Sequence, residues 1–317
     1  MSKENTAAVQ SPAEERSYFS KEAELARGSR SRAVDHFMTG LFYGVGGFFI
    51  LLLIALGAYI IIQGIRSYYP GVLSFSAVGI GNQFFNTVYL VLISLIISVP
   101  LGIMAGIYLA EYAGQTKLTE LITISIEALS SLPSIVIGLF GYLAFILATG
   151  SKWNLIAGAL AVTIQSIPLI TTTTRDALAA LPPYYKTGSI GLGATHWQTI
   201  VHVLIPACVP RIITGIILTA GRGFGEAAAL LYTAGQSTNL NWANWSLSSP
   251  TRPLNPFRPG ETLALHVWVM RTEGSLNPHS VQIANVSSAV LIVLVLIFNL
   301  TARAMSARID SKQTGRK

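Results

Sequence analysis

The sequence predicts an all-α, polytopic membrane protein with six transmembrane helices, and three observations carry that prediction. Of the 317 residues, 51% are hydrophobic and only 11% are charged, whereas a soluble domain holds about 25% charged residues. The apolar residues gather into six long runs, each able to cross a hydrocarbon core of roughly 30 Å at about 1.5 Å per helical residue. The basic residues are shared unevenly between alternate connecting segments. Helix is the expected form because lipid offers no partner for a backbone amide. The alternating pattern of a membrane barrel is missing.

Taken in order, the runs are Met38–Ile65, Phe84–Ala110, Leu121–Ala148, Trp153–Thr174, Cys208–Ala234 and Val281–Ala302. They define a transmembrane domain over residues 37–305, between an N-terminal tail (1–36) and a C-terminal tail (306–317). The N-terminal tail mixes both charge signs and has no apolar core ahead of the first run, so no cleavable leader is expected. A short amphipathic helix near Tyr18–Ala26 is expected instead. Pro100, Pro133 and Pro168 fall within the second, third and fourth runs and predict kinks there. Small residues four apart, at Gly40/Gly44, Gly102/Gly106 and Gly221/Gly225, allow helices to approach closely. The sixth run, leucine-rich and β-branched over Val290–Phe298, reads as a plain outer helix.

Fifteen of the twenty-one Lys and Arg residues lie at the inner segments if the N-terminus is inside, and five at the outer ones. That bias follows the positive-inside rule and places both termini in the cytoplasm. The net charge of +7 is then a matter of topology, not a nucleic-acid footprint. The single cysteine, Cys208, excludes an internal disulfide or a cysteine metal cluster and reads as a small buried residue. The five histidines show no metal-ligand spacing.

The remaining basic residue is the anomaly. In GIILTAGRGFGEAAALLY (Gly215–Tyr232), Arg222 and Glu226 stand four apart inside an apolar run. A charge at mid-bilayer costs at least about 2.5–3.5 kcal/mol, so both should face a cavity or a partner. Spacing of four sets them on one face of a continuous helix, where they can pair. Glu127, in the third run, is a second acid in apolar surroundings, able to pair with Arg222 or with the inner loop. The hydroxyls Ser130, Ser131, Ser134 and Thr171–Thr174 suit a polar route, although bonding back to helix carbonyls is their commoner use.

Two polar segments stand out. The outer loop, 235–280, holds Trp242, Trp245 and a helical-looking GETLALHVWVM (Gly260–Met270); the tryptophans suit interfacial anchoring or docking of an external partner. The inner loop, 175–206, has Pro182-Pro183 as a break, a short helix, a Gly191–Thr195 turn, and a second helix start capped near Thr195. No Gly-x-x-x-x-Gly-Lys-Ser/Thr phosphate loop is present, and GSIGLG (Gly188–Gly193) lacks the lysine, so ATP-driven work requires a partner.

The inner loop resembles the signature of binding-protein-dependent ABC transporter permeases: Glu-Ala-Ala, three residues, Gly, nine residues, then Ile-x-Leu-Pro. The end matches at Gly193 and Val203-Leu204-Ile205-Pro206; the opening falls on Thr187-Gly188-Ser189, which keeps small residues but loses the acid. SIEALSSLPSIVIGLFGYLAF (Ser125–Phe145), LGATHWQT (Leu192–Thr199), GEAAALLYTAG (Gly225–Gly235) and the outer GETLALHVW are similar to the phosphate-specific, PstA-type branch. The resemblance spans roughly Phe84 to Arg303.

It implies a MetI-like importer fold and a permease for phosphate, itself no enzyme and holding no cofactor. The implied partners are a second permease (PstC type), ATPase subunits that bind ATP and Mg (PstB type), an external phosphate-binding protein (PstS type) and membrane lipid. Thr187, Gly188, Ser189, Gly191, Gly193, Ala194 and Thr195 become the coupling contact to the ATPase, on a helix at about Thr187–Gln198 where Gly191 and Gly193 permit close backbone approach. His196 and His202 fall on the same ATPase-facing loop. Arg222, Glu226 and Glu127 become candidates for the substrate path, since a guanidinium fork matches phosphate oxygens; the other reading is a mutual Arg222–Glu226 pair that ties helices together. A sulfate or molybdate permease is the neighbouring alternative. An intramembrane enzyme lacks its catalytic constellation, and a passive channel has no use for the ordered inner loop.

Overall fold

A lipid-facing chain satisfies its backbone within helices, and in the computed structural model every regular element among the described residues is helical. The structure describes residues 12–314 except 77, 78, 115, 238, 247, 248 and 275–277, and side chains from 31 to 308 except 33. The chain separates into two units, Met1–Tyr59 and Ile60–Lys317.

The first helix, α1, runs unbroken over Pro12–Arg66. The short helix expected near Tyr18–Ala26 is therefore part of a longer one, while residues 1–11 lie outside the described residues. Its apolar residues from Phe37 to Ile54 are exposed. That suits a lipid-facing surface.

Within the second unit, α2 (Gly81–Ile107, continued by a wider π turn over Tyr108–Tyr112) packs along α5 (Leu155–Ala179). Two small residues make this possible. A Cβ on Gly102 would stand 2.7 Å from the Ile170 side chain, and one on Gly106 2.6 Å from Thr174 Cβ and 2.8 Å from the Thr171 carbonyl. Of the three small-residue pairs, this one meets a neighbour closely. Gly40 and Gly44 face open space, and Gly221 has Asn299 only at ordinary contact distance. Pro100 and Pro168 lie inside continuous helices.

Pro133 does break its span. α3 (Lys117–Ser131) and α4 (Ser134–Gly141, continued by a π turn to Leu147) meet at 102°. Among the described residues, five helices are long and apolar enough to cross a membrane, and six crossings result if this bent pair makes one. The kink expected at Pro133 is thus a full break that leaves the third run in two pieces.

The inner loop is a hairpin of α6 (Tyr184–Gly191) and α7 (His196–Thr199). The chain then runs through a π turn (Ile200–Leu204) into α8 (Ile205–Phe224) without interruption. The fifth span is therefore longer at its start than expected and stops sooner. After α8 come α9 (Ala228–Thr233), α10 (Leu263–Thr272) in the outer loop and α11 (Ser280–Thr314), which carries the sixth span. The loop helix expected at Gly260–Met270 is α10, capped by the Thr262 side chain.

Two apolar clusters seat these elements. Leu90, Leu155, Val162, Leu230 and Leu265 join α2, α5, α9 and α10. At the hairpin end, Ile107, Leu178, Ile200, Leu204 and Ile212 join α2, α5 and α8. Cys208 belongs to the second cluster and is buried, as its sequence context predicted, with its thiol donating to the Ala177 carbonyl at 3.1 Å.

Candidate functional site

The helix that the Arg222–Glu226 spacing presumes ends between the two residues. α8 stops at Phe224, Gly225 caps it, and Glu226 lies in the connection to α9. Glu226 is 8% exposed, and its Oε1 accepts the Ala229 N–H at 3.1 Å. Arg222 is exposed. No ion pair among the described residues joins them directly.

Gln165 of α5 bridges them. It is 4% exposed. With its amide nitrogen toward the carboxylate it donates to Glu226 Oε2 at 3.1 Å, and its oxygen accepts from Arg222 Nη2 at 3.2 Å. The opposite orientation would set oxygen against carboxylate, so the network itself assigns the amide. The buried carboxylate is satisfied by two neutral donors, and one N–H of the guanidinium is tethered. The cation is held in place without being neutralised by contact.

Arg222 continues an exposed stripe of α8 formed by Arg211, Thr214 and Leu218. Eleven residues separate the two arginines, about 16 Å along a helix. At the hairpin end of the stripe, Arg211 and Thr214 with Arg303 and Ser306 line an open cleft of about 520 Å³. Glu127 is exposed on α3, in a second cleft with Lys117, Glu120 and Thr123; no described ion pair links it to Arg222. The nearby hydroxyls mostly bond back to their own helix, Ser130 to Glu127 O, Ser131 to Ala128 O, Thr172 to Pro168 O and Thr173 to Leu169 O. Such bonding keeps them from acting as free path donors.

The residues expected to form the coupling contact all lie on the hairpin. Thr187 and Gly188 are on exposed α6, Ser189 bonds Thr199 Oγ1 at 2.9 Å, and Gly191 ends α6. Gly193 turns the chain with φ +90°, a value that L side chains avoid. That is its structural reason, since nothing in this chain lies within 4 Å of a Cβ placed on Gly191 or Gly193. Ala194 N–H returns to Ser189 O. Thr195 forms a capping box with Gln198. The helix, turn and second helix start read from the inner loop are therefore all present, and the stretch Thr187–Gln198 expected as the coupling helix spans parts of both helices and the turn between them. Its tip presents Leu192, 92% exposed, and Trp197, 59% exposed.

At the opposite end, the outer loop is pinned by a buried polar network. Arg258, 3% exposed, donates through Nη2 to Asn86 Oδ1 (2.7 Å) and Pro253 O (2.9 Å), with longer bonds to the Arg252 and Pro259 carbonyls. Burial pushes its pKa down to about 10, with a smaller opposing pull from Tyr89. Glu261 accepts from His266 Nδ1 at 2.7 Å, and its backbone carbonyl accepts from Asn86. Trp242 donates to Asn82 Oδ1 at 2.8 Å and packs on Phe75 and Phe85, whereas Trp245 is 55% exposed. One tryptophan of the pair is an internal anchor and the other a surface residue.

A model of the family described as binding-protein-dependent transport system inner membrane component matches residues 98–315. The chain belongs to that family. A probable ABC transporter permease, YqgI of Bacillus subtilis, is 45% identical over 295 residues, covering 89% of this chain and 98% of that one. The phosphate transport system permease PstA of Xylella fastidiosa is 35% identical over 231 residues, 73% of this chain and 75% of its own. Among solved structures, a chain of the bacterial alginate ABC transporter superposes with TM-score 0.64 over 87% of this chain and 95% of that one, at 13% identity. A chain of the MetNI methionine transporter gives 0.54 over 73% and 94%, at 17%. These last likenesses are of fold alone.

As a member of this family the chain is the permease subunit of an ABC importer of MetI type, a multi-pass membrane protein and not itself a catalyst. The family implies an ATPase and a substrate-binding protein as partners.

Sequence reasoning singled out neither Gln165 nor the buried Arg258. Gln165 carried a usable signal. It is a lone amide within the apolar AVTIQSIPLI (Ala161–Ile170), open to the same cost argument that singled out Arg222.

Proposed function

We propose that this permease conducts inorganic phosphate, and that Arg222 receives the anion. The observation that carries the reading is an exposed guanidinium held in place by a neutral amide, Gln165, with its carboxylate neighbour Glu226 buried behind it. A phosphate oxygen then meets a fork of N–H donors, and the resident acid does not occupy them. Glu226, whose two oxygens already accept from the Ala229 N–H and from Gln165, supports Arg222 through that amide and does not meet the anion itself. Relatives named as phosphate transport permeases support the choice of anion. In this reading the α8 stripe descends from Arg222 to the cleft of Arg211 and Arg303, and Glu127 serves as an outlying acid at the path's inner end.

The same reading sets the hairpin and both termini in the cytoplasm of a bacterium, in agreement with the charge bias. The hairpin contacts PstB-type ATPases, which bind ATP and Mg, through Thr187 to Thr195. A PstC-type permease completes the path, and a PstS-type protein delivers phosphate to the outer loop. The test is radiolabelled phosphate uptake in cells lacking this subunit, complemented with wild type or Arg222→Ala, with labelled sulfate as control. Wild type should restore phosphate uptake alone, and the variant should assemble but not transport. Restored sulfate uptake, or full transport by an assembled Arg222→Ala, would contradict the proposal.

A further inference from the structure

The hairpin lacks an acid of its own at Thr187, yet one carboxylate holds both of its arms. Glu111 sits on the π turn that ends α2 and is 9% exposed at its side chain. Its Oε2 accepts from Lys186 Nζ of α6 at 2.6 Å and stands 2.9 Å from His196 Nε2 of α7. Beside it the Tyr112 and His196 rings lie 5.0 Å apart. Among the described residues this is the ion pair that joins the hairpin to another span.

We infer that Glu111 is a positioning residue that fastens the coupling hairpin to α2, so that a push on the hairpin moves α2 and, through it, α5. The inference rests on the hairpin being the ATPase contact. Two features make the fastening stiff. The carboxylate is nearly buried, which strengthens a charge-assisted bond relative to one in water. Two partners from two arms also fix its position more firmly than one would. α2 passes the movement on because Gly102 and Gly106 bring it against Ile170 and Thr174 without slack. α5 carries Gln165, the bridge between Arg222 and Glu226. A wide π turn under Glu111 fits the role, since such turns re-aim side chains at functional positions.

A merely structural acid would be interchangeable with its amide once the complex has formed. The distinguishing readout is therefore the coupling ratio: anion imported per ATP hydrolysed, by the full complex with its ATPase in proteoliposomes. Glu111→Gln, close to isosteric, should keep ATP hydrolysis and lower the ratio about tenfold, the equivalent of one charge-assisted hydrogen bond. Glu111→Lys should do at least as much, and combining it with Lys186→Glu should restore most of the ratio. An unchanged ratio in Glu111→Gln, or a swap that repairs nothing, overturns the inference. So does loss of assembly in the single variants that the swap leaves unrepaired, because Glu111 would then serve folding alone. If wild type imports a different anion, the phosphate reading falls while the ratio, measured on that anion, still tests Glu111.

Discussion

Replacing Arg258 separates two effects that the outer-loop network combines, and their magnitudes predict an unexpected order. A guanidinium lowered by burial to about 10, well below its ordinary value, bears a burial cost of about 3 kcal/mol, at about 1.4 kcal/mol per tenfold change. Below pH 10 both the closed and the opened loop keep the proton, so this cost is constant there. It diminishes only as pH rises above about 10, where the closed form releases its proton first. Against it stand two short bonds, to Asn86 Oδ1 and Pro253 O. Orphaning each buried acceptor costs about 1–3 kcal/mol. Arg258→Met abolishes both bonds but relieves the charge, a net loss of about 1 kcal/mol. Arg258→Lys keeps a buried charge, and its single, less extended ammonium cannot also serve the Arg252 and Pro259 carbonyls that Nε and Nη1 hold, a net loss of about 2 kcal/mol or more. The assay is hydrogen exchange at the Leu155 amide, which bonds the Arg258 carbonyl. Exchange should quicken about fivefold in Arg258→Met and about thirtyfold or more in Arg258→Lys, at about 1.4 kcal/mol per decade. A lysine variant as protected as the methionine variant would refute the reasoning.

Three further predictions concern the bundle and hairpin. Gly106→Ala drives a methyl into the Thr171 carbonyl and Thr174, and should lower the thermal stability of the purified complex by the equivalent of about 1–3 kcal/mol; an unshifted melting temperature would show that α2 and α5 part easily. Thr195→Ala removes the capping box, at about 1 kcal/mol, and should expose the Gly191–Thr195 turn to protease while Thr195→Ser does not. Gln165→Glu sets a second carboxylate against Glu226 and neutralises Arg222, so phosphate uptake should fall at least tenfold in complexes that still assemble, whereas Gln165→Asn should lose less.

Much of the architecture was legible because its causes are local. Pro133 removes a backbone donor within an apolar run, and the chain breaks there. Thr195 precedes a helix start by the spacing that a cap needs. The Gly102/Gly106 pair marked a close helix contact, although Gly40/Gly44 carried the same signal without one, since spacing alone does not name a partner. What escaped was non-local or depended on where a helix stops. The Arg222–Glu226 spacing implied one face, but α8 ends at Phe224 and the two charges meet through an amide on α5. Glu111 read as the unremarked end of a span, because both of its partners lie on a loop far along the chain. Arg258 looked like an ordinary outer-loop cation, and nothing in its neighbours announced that carbonyls and Asn86 would enclose it.

If Arg222 receives the anion, its side chain borders an aqueous path and not lipid. Cysteine reactivity tests it most directly, since the one native thiol, Cys208, is buried and can be replaced by serine as background. Arg222→Cys in the assembled complex should react with a charged, membrane-impermeant thiol reagent from one face in one state of the ATPase cycle, and phosphate should slow that reaction. A cysteine at 222 that reacts only with apolar, lipid-soluble reagents, indifferent to phosphate in every state, would contradict the account.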